Sequence, residues 1–186
     1  MQVSELSDRL ESCPVIAAIR DSKWQAALAS PAEVLFYLEP HLSTIAERVT
    51  QAHKAEKRIF VHLDMAEGIG KDKEGVQYLA QTGVDGIIST RAQIIRFAKD
   101  AGLLTVQRFF ALDSQGLDSI QEMLKSSHPH FMEIMPGVIP KVLQRFAAGQ
   151  TPVIAGGLIE TKAEITGALG GGAIAVSTGC EALWYL

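Results

Sequence analysis

The feature that most constrains the fold is a short apolar run that recurs eight times along the chain. These runs are rich in β-branched residues and show no alternation of polar and apolar positions. That pattern is typical of strands buried on both faces of a parallel sheet. We predict strands over Val15–Ile19, Val34–Leu38, Ile59–Leu63, Gly86–Ser89, Leu104–Arg108, Phe131–Met135, Val153–Ala155 and Ala173–Val176.

Helical patterns separate most of these strands. Apolar residues at helical spacing predict helices over Lys73–Thr82 and Ala92–Ala101, each stopped by a glycine, and over Leu117–Ser126 and Lys141–Ala148. An open doubly wound sheet would suit five or six strands, whereas eight similar units favour closure into a (β/α)8 barrel. The fold class is therefore α/β, with one small barrel domain predicted over residues 1–186.

The net charge and the lengths of the apolar stretches limit which partners this protein could have. The net charge of −4 lacks the basic excess of most nucleic-acid-binding domains, so RNA binding would need a local patch. No apolar stretch approaches the ~20 residues that span a bilayer. The SELSDRLES segment predicts an amphipathic helix with Ser4 as its N-cap. We expect a cytoplasmic protein without membrane partners.

Cys13 and Cys180, at opposite ends of a parallel sheet, are expected to be free thiols.

Two glycine motifs follow the last two predicted strands. Gly156 and Gly157 come directly after strand seven, and Ser177-Thr178-Gly179 follows strand eight. In (β/α)8 barrels these two loops frequently bind a phosphate group through backbone N–H groups. Glycine allows the backbone to approach an anion closely, and the two hydroxyls add donors. The sequence therefore predicts a phosphate site at these five residues.

Charged residues gather at the carboxyl ends of other predicted strands. Arg20, Asp64, Arg108 and Glu133 would face a small polar ligand, or would form an internal set of ion pairs at the barrel mouth. Both alternatives stay open. His62 is expected to be a core histidine.

The sequence lacks the signatures of several enzyme classes. No predicted strand contains the lysine that a Schiff-base aldolase needs, and nothing in the spacing of acidic and histidine residues demands a metal. An isomerase or lyase acting on a phosphorylated polyol remains open, with Glu133 or Asp64 as the base. A glycerophosphodiester hydrolase is the least favoured of these alternatives. Such an enzyme would need a His-Arg pair, and none follows the first predicted strand. We assign no catalytic residue.

Six stretches resemble a known family. They are VIAAIRD, HLDMAEGIGKDKEGVQYL, DGIISTRAQIIRFAKDAGLLTVQRFFALDS, MEIMPGVIPKV, PVIAGGLI and AVSTGCEALW. In order and spacing they are similar to the glycerol-3-phosphate-responsive antiterminators, from about Cys13 to Trp184.

This resemblance implies a non-enzymatic regulator that needs no cofactor. Its effector would be glycerol 3-phosphate and its partner the leader of target mRNAs, where it prevents premature termination. The phosphate would then occupy the two glycine motifs, and the glycerol end would face the charged ring. For RNA, the best local basic surface comprises Arg91, Arg96 and Lys99 on or near one helix and Lys141 and Arg145 on another. The sequence leaves a homo-oligomer open.

Overall fold

Eight parallel strands form a closed barrel in which each strand pairs with the next along the chain and β8 returns to β1. The computed structural model describes residues 2–186 and confirms the predicted (β/α)8 architecture. The strands are β1 Val15–Ile19, β2 Val34–Tyr37, β3 Arg58–His62, β4 Gly86–Ser89, β5 Leu104–Phe110, β6 Phe131–Met135, β7 Val153–Gly156 and β8 Ala175–Thr178.

Helices pack around the outside of the barrel and across its amino-terminal end. They are α1 Val3–Ser12, α2 Trp24–Ala29, α3 Ile45–Lys54, α4 Lys73–Thr82, α5 Ala92–Asp100, α6 Ser114–Ser127, α7 Pro140–Ala147 and α8 Lys162–Gly170. Short 3-10 segments occupy Asp21–Lys23, Leu63–Met65 and Glu181–Tyr185. The last of these takes the place of a full helix after β8.

Local chemistry explains several helix boundaries. Asp72 and Asp113 accept the backbone N–H groups of Gly75 and Gly116, so each carboxylate caps the first turn of its helix. The N-cap predicted at Ser4 is wrong: α1 already begins at Val3, with Gln2 before it.

Strand β8 lies two residues later than predicted. Ser177 and Thr178 pair with Ile16 and Ala17 of β1 and are therefore part of the strand instead of the loop after it. Their burial in the sheet is tolerated because both hydroxyls donate hydrogen bonds within the protein.

The barrel interior is apolar at its amino-terminal end. Inward-facing Phe36, Phe60 and Phe131 pack there against Leu6 and Leu10 of α1, which lies across that end of the barrel. Side chains alternate along a strand, so positions two residues beyond a core residue also face inward. At the carboxyl end those positions carry a polar layer: His62, Arg108, Glu133 and Ser177. No helix within residues 2–186 is long and apolar enough to cross a membrane.

Candidate functional site

A cavity of about 660 Å³ opens at the carboxyl end of the strands. Its walls come from three neighbouring segments of the rim: β1 with the 3-10 segment that follows it, the loop 157–160 after β7, and residues 177–180 at the end of β8. Arg108 and Glu133 also line it, at the level of the polar layer. This is the end at which (β/α)8 proteins place their ligand sites.

A buried ion pair lies at the base of the cavity. Arg108 and Glu133 occupy paired positions on β5 and β6, and Arg108 Nε lies 2.6 Å from Glu133 Oε2. Glu133 is fully buried, and its other carboxylate oxygen accepts the hydroxyl of Ser177. Within residues 2–186 the terminal nitrogens of Arg108 make no hydrogen bond, which leaves them for a ligand.

The structure explains why position 156 is a glycine, which the sequence did not reveal. A Cβ at this position would lie 2.4 Å from Glu133 Oε1 and 2.8 Å from Ser177 Oγ. Gly156 does not line the cavity. We expected this glycine to let the backbone approach an anion, whereas here it makes room for the Glu133–Ser177 hydrogen bond.

The loop after β7 lines the cavity and carries backbone N–H groups without an acceptor. Gly157 and Leu158 both have left-handed backbone conformations, with φ of 75° and 60°. Such a conformation is costly for leucine. The N–H groups of Gly157, Leu158 and Ile159, and that of Gly179 after β8, donate to no acceptor in the described part of the chain. Successive N–H groups in this arrangement form a concavity suited to an anion.

Other donors near this loop are already occupied. Thr178 donates its hydroxyl to the Ile159 carbonyl and accepts the Cys180 N–H, which ties the two loops together. The N-terminal N–H groups before α8 donate to Glu164 in a capping box with Thr161. The predicted hydroxyl donors Ser177 and Thr178 therefore shape the cavity through protein hydrogen bonds, and the unpaired donors of these two loops are backbone amides.

The structure brings only part of the predicted charged ring to the cavity. Arg20 lines it and donates to Glu39 at 2.6 Å. Asp64 does not line it, because its carboxylate accepts hydrogen bonds from the Ser89 hydroxyl and from both the N–H and the hydroxyl of Thr90. Burial alone would raise the pKa of Asp64, but these hydrogen bonds outweigh it and hold the pKa below its usual value.

His62 lies in the polar layer without a partner for its Nδ1 atom. Burial, and then the charge of Arg108, lower its pKa. Both effects favour the neutral imidazole. His62 is buried in the core as the sequence predicted, but its hydrogen-bonding capacity is not fully satisfied there. Residues 2–186 contain no group of three or more His, Cys, Asp and Glu side chains that could hold a metal ion, and both cysteines are free.

Sequence reasoning missed Lys23. This residue ends the 3-10 segment after β1 and lines the cavity, where its Nζ atom donates to the Gly179 carbonyl at 2.6 Å. A lysine in a short connection carries no local signal of function, so only the folded barrel reveals its position beside the β8 loop.

The predicted RNA-binding residues lie on two helices that are not neighbours. Lys99 of α5 donates to the His128 carbonyl, and Arg145 of α7 is ion-paired with Asp118 of α6. Arg91, before α5, lies 3.8 Å from Asp64. Arg96 and Lys141 are exposed and make no ion pair in the described chain. Helix α6 follows α5 around the barrel and separates the two sets.

Comparison with known proteins gives consistent matches. The family model "Glycerol-3-phosphate responsive antiterminator" matches residues 15–184. The uncharacterized protein YgcP of Escherichia coli (strain K12) is 34% identical over 180 residues, which cover 95% of this chain and 94% of YgcP.

Two crystal structures are similar over the whole barrel. The glycerol uptake operon antiterminator regulatory protein of Listeria monocytogenes is 32% identical, with a TM-score of 0.87 over 91% of this chain and 94% of that one. A glycerol uptake operon antiterminator-related protein of Thermotoga maritima is 30% identical, with a TM-score of 0.83 over 91% and 96%. Barrels that include deoxyribose-phosphate aldolases are at most 14% identical, a likeness that shows the fold alone.

Proposed function

Since the chain belongs to the glycerol-3-phosphate responsive antiterminator family, we propose that it binds glycerol 3-phosphate in the rim cavity and, so loaded, binds leader RNA. The observation that carries the proposal is the set of four unpaired backbone N–H groups in residues that line one cavity: Gly157, Leu158, Ile159 and Gly179. An anion with several acceptor oxygens satisfies such donors together. A phosphate monoester fits this description.

The glycerol end of the ligand would lie toward the buried ion pair. The free terminal nitrogens of Arg108 can donate to hydroxyl oxygens, and Arg20 lines the same wall. We assign no direct contact to Asp64, which its hydrogen bonds hold at the end of β4. The five phosphate residues of the sequence prediction reduce to Gly157 and Gly179 as direct donors, with Gly156, Ser177 and Thr178 in support.

A regulator accounts for the site better than an isomerase or lyase does. Of the two candidate bases, Glu133 is bonded to Arg108 and Ser177 and is fully buried, while Asp64 lies away from the cavity. Neither presents a free basic oxygen to a bound polyol, which a proton transfer requires. On this proposal the barrel acts by binding its ligand and does not transform it.

The RNA step is tested by titrating labelled leader RNA of a glycerol-utilisation operon with the protein. Glycerol 3-phosphate should tighten RNA binding by about 5–150-fold, the usual range of an allosteric coupling. Glycerol and inorganic phosphate serve as controls and should have little effect. RNA affinity should also fall as salt is raised, because phosphate contacts release counterions. Equal RNA affinity with and without glycerol 3-phosphate would contradict the proposal.

A further inference from the structure

The three cations that line the cavity differ in how they are neutralised. Arg20 and Arg108 each lie 2.6 Å from a carboxylate oxygen, of Glu39 and Glu133 respectively. The nearest carboxylate oxygen to the Lys23 ammonium belongs to Glu181, at 3.8 Å. Lys23 is thus the lining cation with the least paired charge.

The Lys23 ammonium group also has N–H donors that the described part of the chain leaves unused. An ammonium group carries three N–H donors, and the Gly179 carbonyl takes one of them at 2.6 Å. The backbone N–H of that same Gly179 has no acceptor within residues 2–186. One glycine therefore connects the ammonium group with the row of unpaired amides, which continues on the β7 loop.

A network of contacts fixes the segment that carries Lys23. Asp21, two residues earlier, accepts the Tyr37 hydroxyl at 2.8 Å and pairs with Arg48 at 2.9 Å. The Arg48 guanidinium stacks 4.8 Å from the ring centre of Trp24, the residue after Lys23, and Trp24 is fully buried. Residues on both sides of Lys23 are therefore anchored, so little backbone entropy is lost when Lys23 engages a ligand.

From this geometry we propose that Lys23 is the charged anchor of the phosphate group and the residue that selects a phosphomonoester dianion over an uncharged polyol. The cradle then spans three consecutive segments of the rim: the N–H groups after β7, the N–H of Gly179 after β8, and the ammonium group after β1. The inference rests on the proposed function for the identity of glycerol 3-phosphate, but the role of Lys23 applies to any phosphomonoester in this cavity.

Calorimetric titration of four proteins tests the anchor: wild type, Lys23→Met, Lys23→Arg and the control Lys162→Met. Lys162 is an exposed lysine at the start of α8 that does not line the cavity, so its loss changes net charge equally. A charge-assisted hydrogen bond is worth enough that Lys23→Met should weaken glycerol 3-phosphate binding by about 10–100-fold. Lys23→Arg should recover part of this loss, and Lys162→Met should bind like wild type.

Titration with inorganic phosphate separates this inference from the proposed function. If wild type binds glycerol 3-phosphate and Lys23→Met binds it equally well, the anchor is overturned and the proposed ligand stands. If wild type binds only inorganic phosphate and Lys23→Met loses it, the anchor stands and the proposed ligand is overturned. If wild type binds phosphate alone and Lys23→Met keeps it, or if wild type binds neither, both proposals are overturned.

Discussion

Replacing Gly156 with alanine should destabilise the barrel through one defined clash. The new Cβ would lie 2.4 Å from Glu133 Oε1, 3.0 Å from Glu133 Cδ and 2.8 Å from Ser177 Oγ, all of them buried. Overpacking of this kind costs typically about 1–3 kcal/mol. A full break of a buried ion pair costs about 3–5 kcal/mol. Because Glu133 can shift while keeping Arg108, we expect a loss of about 2–4 kcal/mol.

Urea unfolding followed by circular dichroism measures this loss as a lower midpoint at an unchanged slope. The control is Gly167→Ala in α8, where an added Cβ meets nothing within 4 Å. A glycine inside a helix costs roughly 0.5–1 kcal/mol relative to alanine, so this control should gain stability.

A double variant identifies the clash itself. Glu133→Asp withdraws the carboxylate by one methylene and makes room for the alanine, so Gly156→Ala should cost less in that background. We expect a favourable coupling of about 0.5–3 kcal/mol, the range for residues in contact. A stability of Gly156→Ala within about 0.5 kcal/mol of wild type, the usual spread of neutral surface changes, would rule out the clash. Additive effects of the two substitutions would also rule it out.

Two further predictions concern pH and RNA. Because the folded pKa of Asp64 lies below its usual value of 3.8, its stabilisation is complete well above that pH and is lost as pH falls through the folded pKa. Asp64→Asn should therefore be less stable than wild type at pH 7, and the gap should shrink below about pH 4 in acid unfolding experiments; a constant gap would contradict this. If α5 and α7 contact RNA, Arg96→Gln and Lys141→Gln should each weaken leader-RNA binding and reduce its salt slope by about 1, whereas an unchanged slope would place the RNA elsewhere.

The repeated pattern of strand and helix was enough to predict the barrel because eight units of similar length have few other ways to bury both faces of each strand. The error in β8 has a physical cause. Ser177 and Thr178 look like loop residues by type, but their hydroxyls find acceptors in Glu133 and in the Ile159 carbonyl. Such long-range partners leave no mark on the local sequence.

The candidate site was predictable to the level of the strand ends and no further. Four of the five residues of the glycine motifs line the cavity. The motifs could not show that Gly156 leaves room for a side chain from β6, or that Gly157 has a left-handed backbone conformation. The role of Gly156 depends on the side chains that the neighbouring strands β6 and β8 place beside it. Lys23 was missed for the same reason, since only closure of β1 onto β8 brings it to Gly179.

The position of α1 has a consequence for the order of events during synthesis. Leu6 and Leu10 of α1 belong to the same apolar cluster as Ala175 of β8, from which the whole barrel sequence separates them. Strand β1 likewise waits for β8 before both of its edges are paired. Contacts so distant in sequence slow folding, because loop-closure entropy is lost before they form. The apolar face of α1 should therefore remain exposed, and open to chaperones and proteases, until β8 has been made and the barrel closes.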